Sequence, residues 1–171
     1  MISEGSRGAV ADALDRLRDE WGRFPVKRTA REVDPESWDR DRERFDAGTV
    51  GAAGAWVRRD DGRALVVRRD DETGWSEPGG EQASGEPLTR TAVRETREET
   101  GVDAALTGVL TARRVVESAP SRPSLHRLVV VFEAAYDRGD PRPRGDGTDA
   151  VRWVADRPDD VPYPAVGAYP P

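Results

Sequence analysis

Apolar positions along this chain change their period at about residue 50. In residues 1–48 they are sparse and recur at helical spacing. Val10, Leu14, Leu17 and Trp21 fall on one face, which predicts a first helix. Asp34 is placed to cap a second, with Pro35 at its first position and Trp38 and Phe45 on one side. Beyond Val50, Ala53, Ala55 and Val57 alternate with Gly54 and Trp56, a strand pattern. Asp60-Asp61-Gly62 signals a hairpin turn, and residues 64–67 read as a short buried strand. A polar loop over 68–74 then leads to Trp75-Ser76-Glu77-Pro78-Gly79-Gly80. Next comes a helix with Pro87 in its first turn and Gly101 at its end, its apolar stripe formed by Leu88, Ala92 and Thr96 with Val93 beside them. Residues 106–110 and Val115-Val116 read as strand pieces, and 128–132 is the most apolar run, hence a central strand. The stretch 137–149 is rich in Gly, Pro, Asp and Arg and reads as an exposed, mobile loop. Val151 and Trp153 alternate on a last strand, and 159–171 reads as a proline-rich tail laid across the domain. Strands flanking one central helix, with helices before them, predict a mixed sheet between helical layers. Residues 1–48 form a helical N-terminal extension and 49–171 the main domain.

The predicted helix carries a charge problem. Glu95, Glu98 and Glu99 recur at three and four residues and so share a face. Like charges at that spacing repel, and they lie in the last turns, where the helix dipole favours cations. One resolution is a solvated face neutralised by Arg90, Arg94 and Arg97. The other is a divalent metal, since carboxylates are the hard oxygen ligands that Mg2+ prefers.

The stretch containing these acids reads Gly80, five residues, Glu86, seven residues, then Arg94-Glu95-Thr96-Arg97-Glu98-Glu99-Thr100-Gly101-Val102. It resembles the Nudix box, the signature of the Nudix hydrolase family. Gly80, Glu86, Arg94, Glu95, Glu98, Glu99 and Gly101 fill seven positions that the family fixes. Thr96 departs from it, standing where an aliphatic residue is usual. The resemblance is local, covering residues 80–102 of 171. It implies an α/β Nudix fold, an α/β/α sandwich with a mixed sheet and the box helix packed on it. It also implies hydrolysis of a nucleoside diphosphate linked to another group, with Mg2+ or Mn2+ as cofactor. Metal ions suit that chemistry because they neutralise the diphosphate and lower the pKa of a bound water.

By the same resemblance Glu95 and Glu99 are first-choice metal ligands, and the Gly79 carbonyl often joins them. Glu98 is a third ligand or the general base. Arg94 fixes a carboxylate rotamer by a charge-assisted pair. Gly80 and Glu86 are supporting residues, Glu86 as a loop cap or part of an outer metal shell. Many family members draw a further acid from a loop before a Trp-containing strand. Here only Asp146 and Asp149 stand near that place, and both also suit plain turn roles beside Gly145 and Gly147. Trp75 is placed either to stack on a base or to pack at a strand end.

Composition narrows the remaining classes. At 171 residues the chain is one domain with a small appendage. It has no cysteine, which excludes disulfides, thiolate metal sites and the cysteine-dependent isomerases that share the fold. No apolar run approaches a membrane span and no signal-peptide region opens the chain, so a cytoplasmic protein is expected. Asp plus Glu number 33, and Lys27 is the only lysine among 27 basic residues. That balance suggests a halophilic cytoplasm, or simply a G+C-rich genome. The arginines alternate with acids, as in residues 39–44, and the net charge is −6, which argues against a nucleic-acid partner. The expected partner is a small-molecule nucleotide, with no membrane. The N-terminal extension packs on the core, shapes a substrate pocket or makes a homodimer contact. A non-catalytic nucleotide sensor is the alternative function, although no box acid is missing. Pro120 lies near, but not at, the place of a proline marker for ADP-ribose hydrolases.

Overall fold

The computed structural model describes residues 1–71 and 73–155. In chain order the elements are α1 (Ile2–Trp21), β1 (Val26–Glu32), α2 (Pro35–Asp46), β2 (Gly51–Arg58), β3 (Ala64–Arg69), β4 (Gly79–Glu81), α3 (Leu88–Thr100), β5 (Asp103–Ser118), β6 (Leu125–Arg138) and β7 (Thr148–Val154). The seven strands form one mixed sheet in the order β1-β5-β6-β2-β3-β7, with β4 added to β2. The β1–β5 and β2–β6 pairs are parallel and the others antiparallel.

The alternation read from the sequence sets what each face buries. Ala53, Ala55 and Val57 of β2 and Leu128, Val130 and Phe132 of β6 point to one face, where they meet Val10, Leu14 and Leu17 of α1 and Leu88 and Ala92 of α3. These side chains are almost wholly removed from water, and each such aliphatic side chain contributes on the order of 2 kcal/mol of transfer free energy. The opposite face holds a smaller cluster of Trp56, Val66, Trp75 and Val131. Beside that cluster, Ser37, Arg40, Asp41 and Arg44 of α2 form one wall of a polar groove over the sheet. The central position of β6 is as its apolar run predicts.

Three expectations need correction. The N-terminal extension is not purely helical: between α1 and α2, β1 adds an edge strand parallel to β5. Six of its seven residues are exposed, so backbone pairing rather than an apolar face makes it a strand. The two strand pieces after the box are one strand, β5, with register shifts at Asp103/Ala104, Leu106/Gly108 and Val109/Thr111. Each shift resets the two-residue period, so one long strand reads as fragments. The loop before β7 is exposed but fastened, because the Arg142 and Arg144 amides donate to the Thr100 and Glu99 carbonyls at 3.0 and 2.9 Å. The proline-rich tail expected over 159–171 lies outside the described residues.

Candidate active site

The site is built from the C-terminal turns of α3, the end of β3, the β4 strand and the loop before β7. Helix α3 begins after Pro87 and stops at Gly101, whose φ of 75° is left-handed and suits glycine. Leu88, Ala92, Thr96 and Thr100 bury one stripe. Thr96 turns its hydroxyl back to the Ala92 carbonyl at 2.8 Å, so it sits in the core without an unmet polar group. This orientation sends Glu95, Glu98 and Glu99 toward β3, β4 and the loop before β7.

Arginines hold these acids. Arg94 donates to both Glu86 oxygens at 2.8 and 3.1 Å, to Glu95 at 2.7 Å, to Glu98 at 3.1 Å and to the Glu81 carbonyl at 3.1 Å. Its bond to Glu86 holds that carboxyl below the usual carboxylate range. Glu86 therefore anchors Arg94, and Arg94 orients Glu95, as a charge-assisted network does. Glu98 is the most exposed of the three acids.

Glu95 lies directly on Gly80. A Cβ added there would come within 2.5 Å of the Glu95 carboxyl carbon, so the carboxylate occupies the space that a side chain at residue 80 would take. Glu99 is mostly buried, and burial pushes its carboxyl up, against the pull of Arg69. Arg69 Nη2 donates to both Glu99 oxygens at 3.2 Å and to the Gly79 carbonyl at 3.0 Å, while Nη1 reaches Ser76 Oγ at 2.6 Å. A carboxylate and a backbone carbonyl thus converge on one cationic point, with Glu95 close enough to raise the Glu99 carboxyl further. Among the described residues no three His, Cys, Asp or Glu side chains are grouped closely enough to hold a metal ion by themselves. The donor set of hard oxygens, and the cradle that Gly80 leaves for Glu95, fit a Mg2+- or Mn2+-class ion.

A cavity of about 470 Å³ opens over these groups, lined by Arg69, Asp70, Asp71, Glu95, Glu98, Glu99 and residues 144–148. The two aspartates of the loop separate here. Asp146 lines this cavity. Asp149, the extra residue where the β3–β7 register slips, instead accepts from Arg68 Nε at 2.9 Å. A second groove of about 1050 Å³ runs under α2 and shares Arg69 and Asp71 with the first. Trp75 lines neither cavity. It is 7% exposed, packs with Trp56, Val66 and Val131, and has the Arg152 guanidinium 4.1 Å from its ring centroid. The structure gives it the packing role, since burying an indole outweighs keeping a ring open at a strand end.

Sequence reasoning missed Arg69, Asp70 and Asp71. One signal was present: Arg68-Arg69 ends the apolar run of β3, and neighbouring strand residues point to opposite faces, so one of the two had to face α3. His126, the one histidine of the chain, lies in β6, outside both cavities.

Comparison with known proteins decides the family. A family model described as the NUDIX domain matches residues 48–165. The chain belongs to the Nudix hydrolase family. Its box therefore lies within a match extending far beyond the box. A Xenopus laevis relative, "Nucleoside diphosphate-linked moiety X motif 6", is 42% identical over 67 residues, which is 38% of this chain and 31% of that protein. The chain thus matches about a third of that relative's length. A MutT Nudix hydrolase from Burkholderia pseudomallei is 30% identical, covering 66% of this chain and 86% of its own, with a TM-score of 0.48. The Bacillus subtilis pyrophosphohydrolase BsRppH shares 18% identity over 66% of this chain and 67% of its own, with a TM-score of 0.50.

Proposed function

We propose that this Nudix protein hydrolyses the diphosphate linkage of a nucleoside diphosphate joined to another moiety, using Mg2+ or Mn2+. The observation that carries this reading is the convergence of Glu99 and the Gly79 carbonyl on one cation-binding point, with Glu95 beside it on Gly80. The partial relative's printed name, a nucleoside diphosphate-linked moiety X motif, agrees with that substrate class. Glu95, Glu99 and the Gly79 carbonyl would hold the metal. The bound ion would neutralise diphosphate charge and acidify a water.

The protein's own groups divide the remaining work. Arg94 fixes the Glu95 rotamer through the pair that Glu86 completes. Glu98, exposed and lining the cavity, would accept the proton of the attacking water or help hold the ion. Asp146 lines the same cavity and is placed to assist; Asp149 is occupied by Arg68.

The test is a screen with Mg2+ and Mn2+ against ADP-ribose, dinucleoside polyphosphates, NADH, nucleotide sugars and ordinary and oxidised dNTPs. Turnover of at least one, abolished by EDTA, is expected. No turnover of any of them with either ion overturns the reading. Against the best substrate, Asp146→Ala should lower kcat about tenfold and Asp149→Ala less than about twofold. Equal effects would remove Asp146 from the site.

A further inference from the structure

We infer that Arg69 is a resident counter-ion of the metal site, which the metal must displace. This rests on the metal reading above and deepens it. The Arg69 Nη2 atom donates to Glu99 Oε1 and Oε2, to the Gly79 carbonyl, and at 3.4 Å to the Glu77 carbonyl. The Glu99 and Gly79 oxygens are the ones assigned to the metal. These oxygens keep further lone pairs, but Nη2 itself sits at the point where all three converge, and two cations at that point repel strongly. Arg69 and the metal therefore compete for this point.

The reason for such a residue lies in the burial of Glu99. Its side chain is 14% exposed and that of Arg69 24%. A carboxylate taken from water without a cation is expensive. The guanidinium gives this buried carboxyl a cationic partner and aims it when no metal is bound. Exchange is local, because Arg69 keeps a second hold at Ser76 Oγ through Nη1. Arg69 also lines both the 470 Å³ cavity and the 1050 Å³ groove.

Competition makes a signed prediction. The apparent metal affinity is reduced by the fraction of molecules whose ligands are engaged by Arg69. Mn2+ binding is measured by the electron paramagnetic resonance signal of free ion, at pH 8.5, far above the ordinary carboxylate range. Arg69→Gln should bind Mn2+ about fivefold or more tightly than wild type, and Arg69→Lys should fall between. Equal or weaker binding by Arg69→Gln overturns the inference while leaving the metal reading intact. Absence of Mn2+ binding in wild type and variants alike overturns both. A second measurement needs no folded Gln variant. The Arg69 guanidinium resonance of the wild-type protein, assigned by its loss in Arg69→Lys, should shift on titration with Mg2+. A resonance unmoved at saturating Mg2+ also overturns the inference.

Discussion

Glu99 carries the sharpest consequences at the scale of single residues, because it joins a buried carboxyl to the metal point. Burial raises its pKa in the folded protein above the unfolded value. For an acid raised in this way the sign is unfavourable. As pH rises from the ordinary carboxylate value to the folded one, the unfolded chain loses its proton first, so stability falls. Glu99→Gln removes that penalty. In EDTA its melting temperature should therefore gain on wild type as pH goes from about 4 to 8. With Mg2+ the order reverses, because only the wild type is stabilised by tight binding. Turnover should fall about a hundredfold or more. A Glu99→Gln protein within about threefold of wild-type turnover at limiting Mg2+ would exclude Glu99 as a ligand.

At the scale of elements, α3 is the part of the chain whose sequence and structure agree most closely. Its start, its left-handed stop at Gly101 and its buried stripe were legible because caps and helical period are local signals. Thr96, the one departure from the box pattern, is fully buried with its hydroxyl returned to the helix backbone. Thr96→Val keeps the shape and removes only that bond, so its unfolding free energy should stay within about 1 kcal/mol of wild type. Chemical denaturation checks this, and a loss above about 2 kcal/mol would mean the hydroxyl does more than return to Ala92. Strands fared less evenly. β2 was legible from the alternation in its sequence and the centre of β6 from its apolar run, whereas β5 hid behind its bulges and β1 behind a polar edge. The box acids of the candidate site were legible from spacing. Arg69 and Asp70 were not, because their place beside α3 depends on how β3 ends against β7, a tertiary fact.

Charge governs the behaviour of the whole molecule. Many arginines lie in exposed pairs such as Arg42–Asp46, Arg122–Asp39 and Arg138–Asp103. Such exposed pairs stabilise little, so screening them costs little. The net charge of −6 remains to be screened. The melting temperature should therefore rise between about 0.1 and 2 M KCl, and a flat or falling curve would leave genome composition to explain the near absence of lysine.

The buried charges behave differently, and they tie the N-terminal segment to the rest of the protein. Arg127 of β6 meets Asp41 of α2 at 3.2 Å and Glu117 of β5 at 3.6 Å, and also bonds Glu81 of β4. Glu117 is fully buried and takes its other cation, Arg31, from β1. Burial pushes the Glu117 carboxyl up, opposed by those two arginines. One guanidinium thus holds α2, β4 and β5 to the centre of the sheet. Arg127→Met fills similar space but leaves Asp41 and Glu117 buried with one cation fewer, which should cost about 3–5 kcal/mol near pH 7.5. The cost should depend on pH with a definite sign. Without Arg127 the Glu117 carboxyl rises further, and a neutral buried acid is tolerated where a charged one is not. The deficit relative to wild type should therefore shrink as pH falls through the carboxylate range. Urea unfolding of both proteins at pH 7.5 and about 5 measures it. A deficit that is constant with pH would assign the loss to packing and remove the ion network as what holds the N-terminal segment in place.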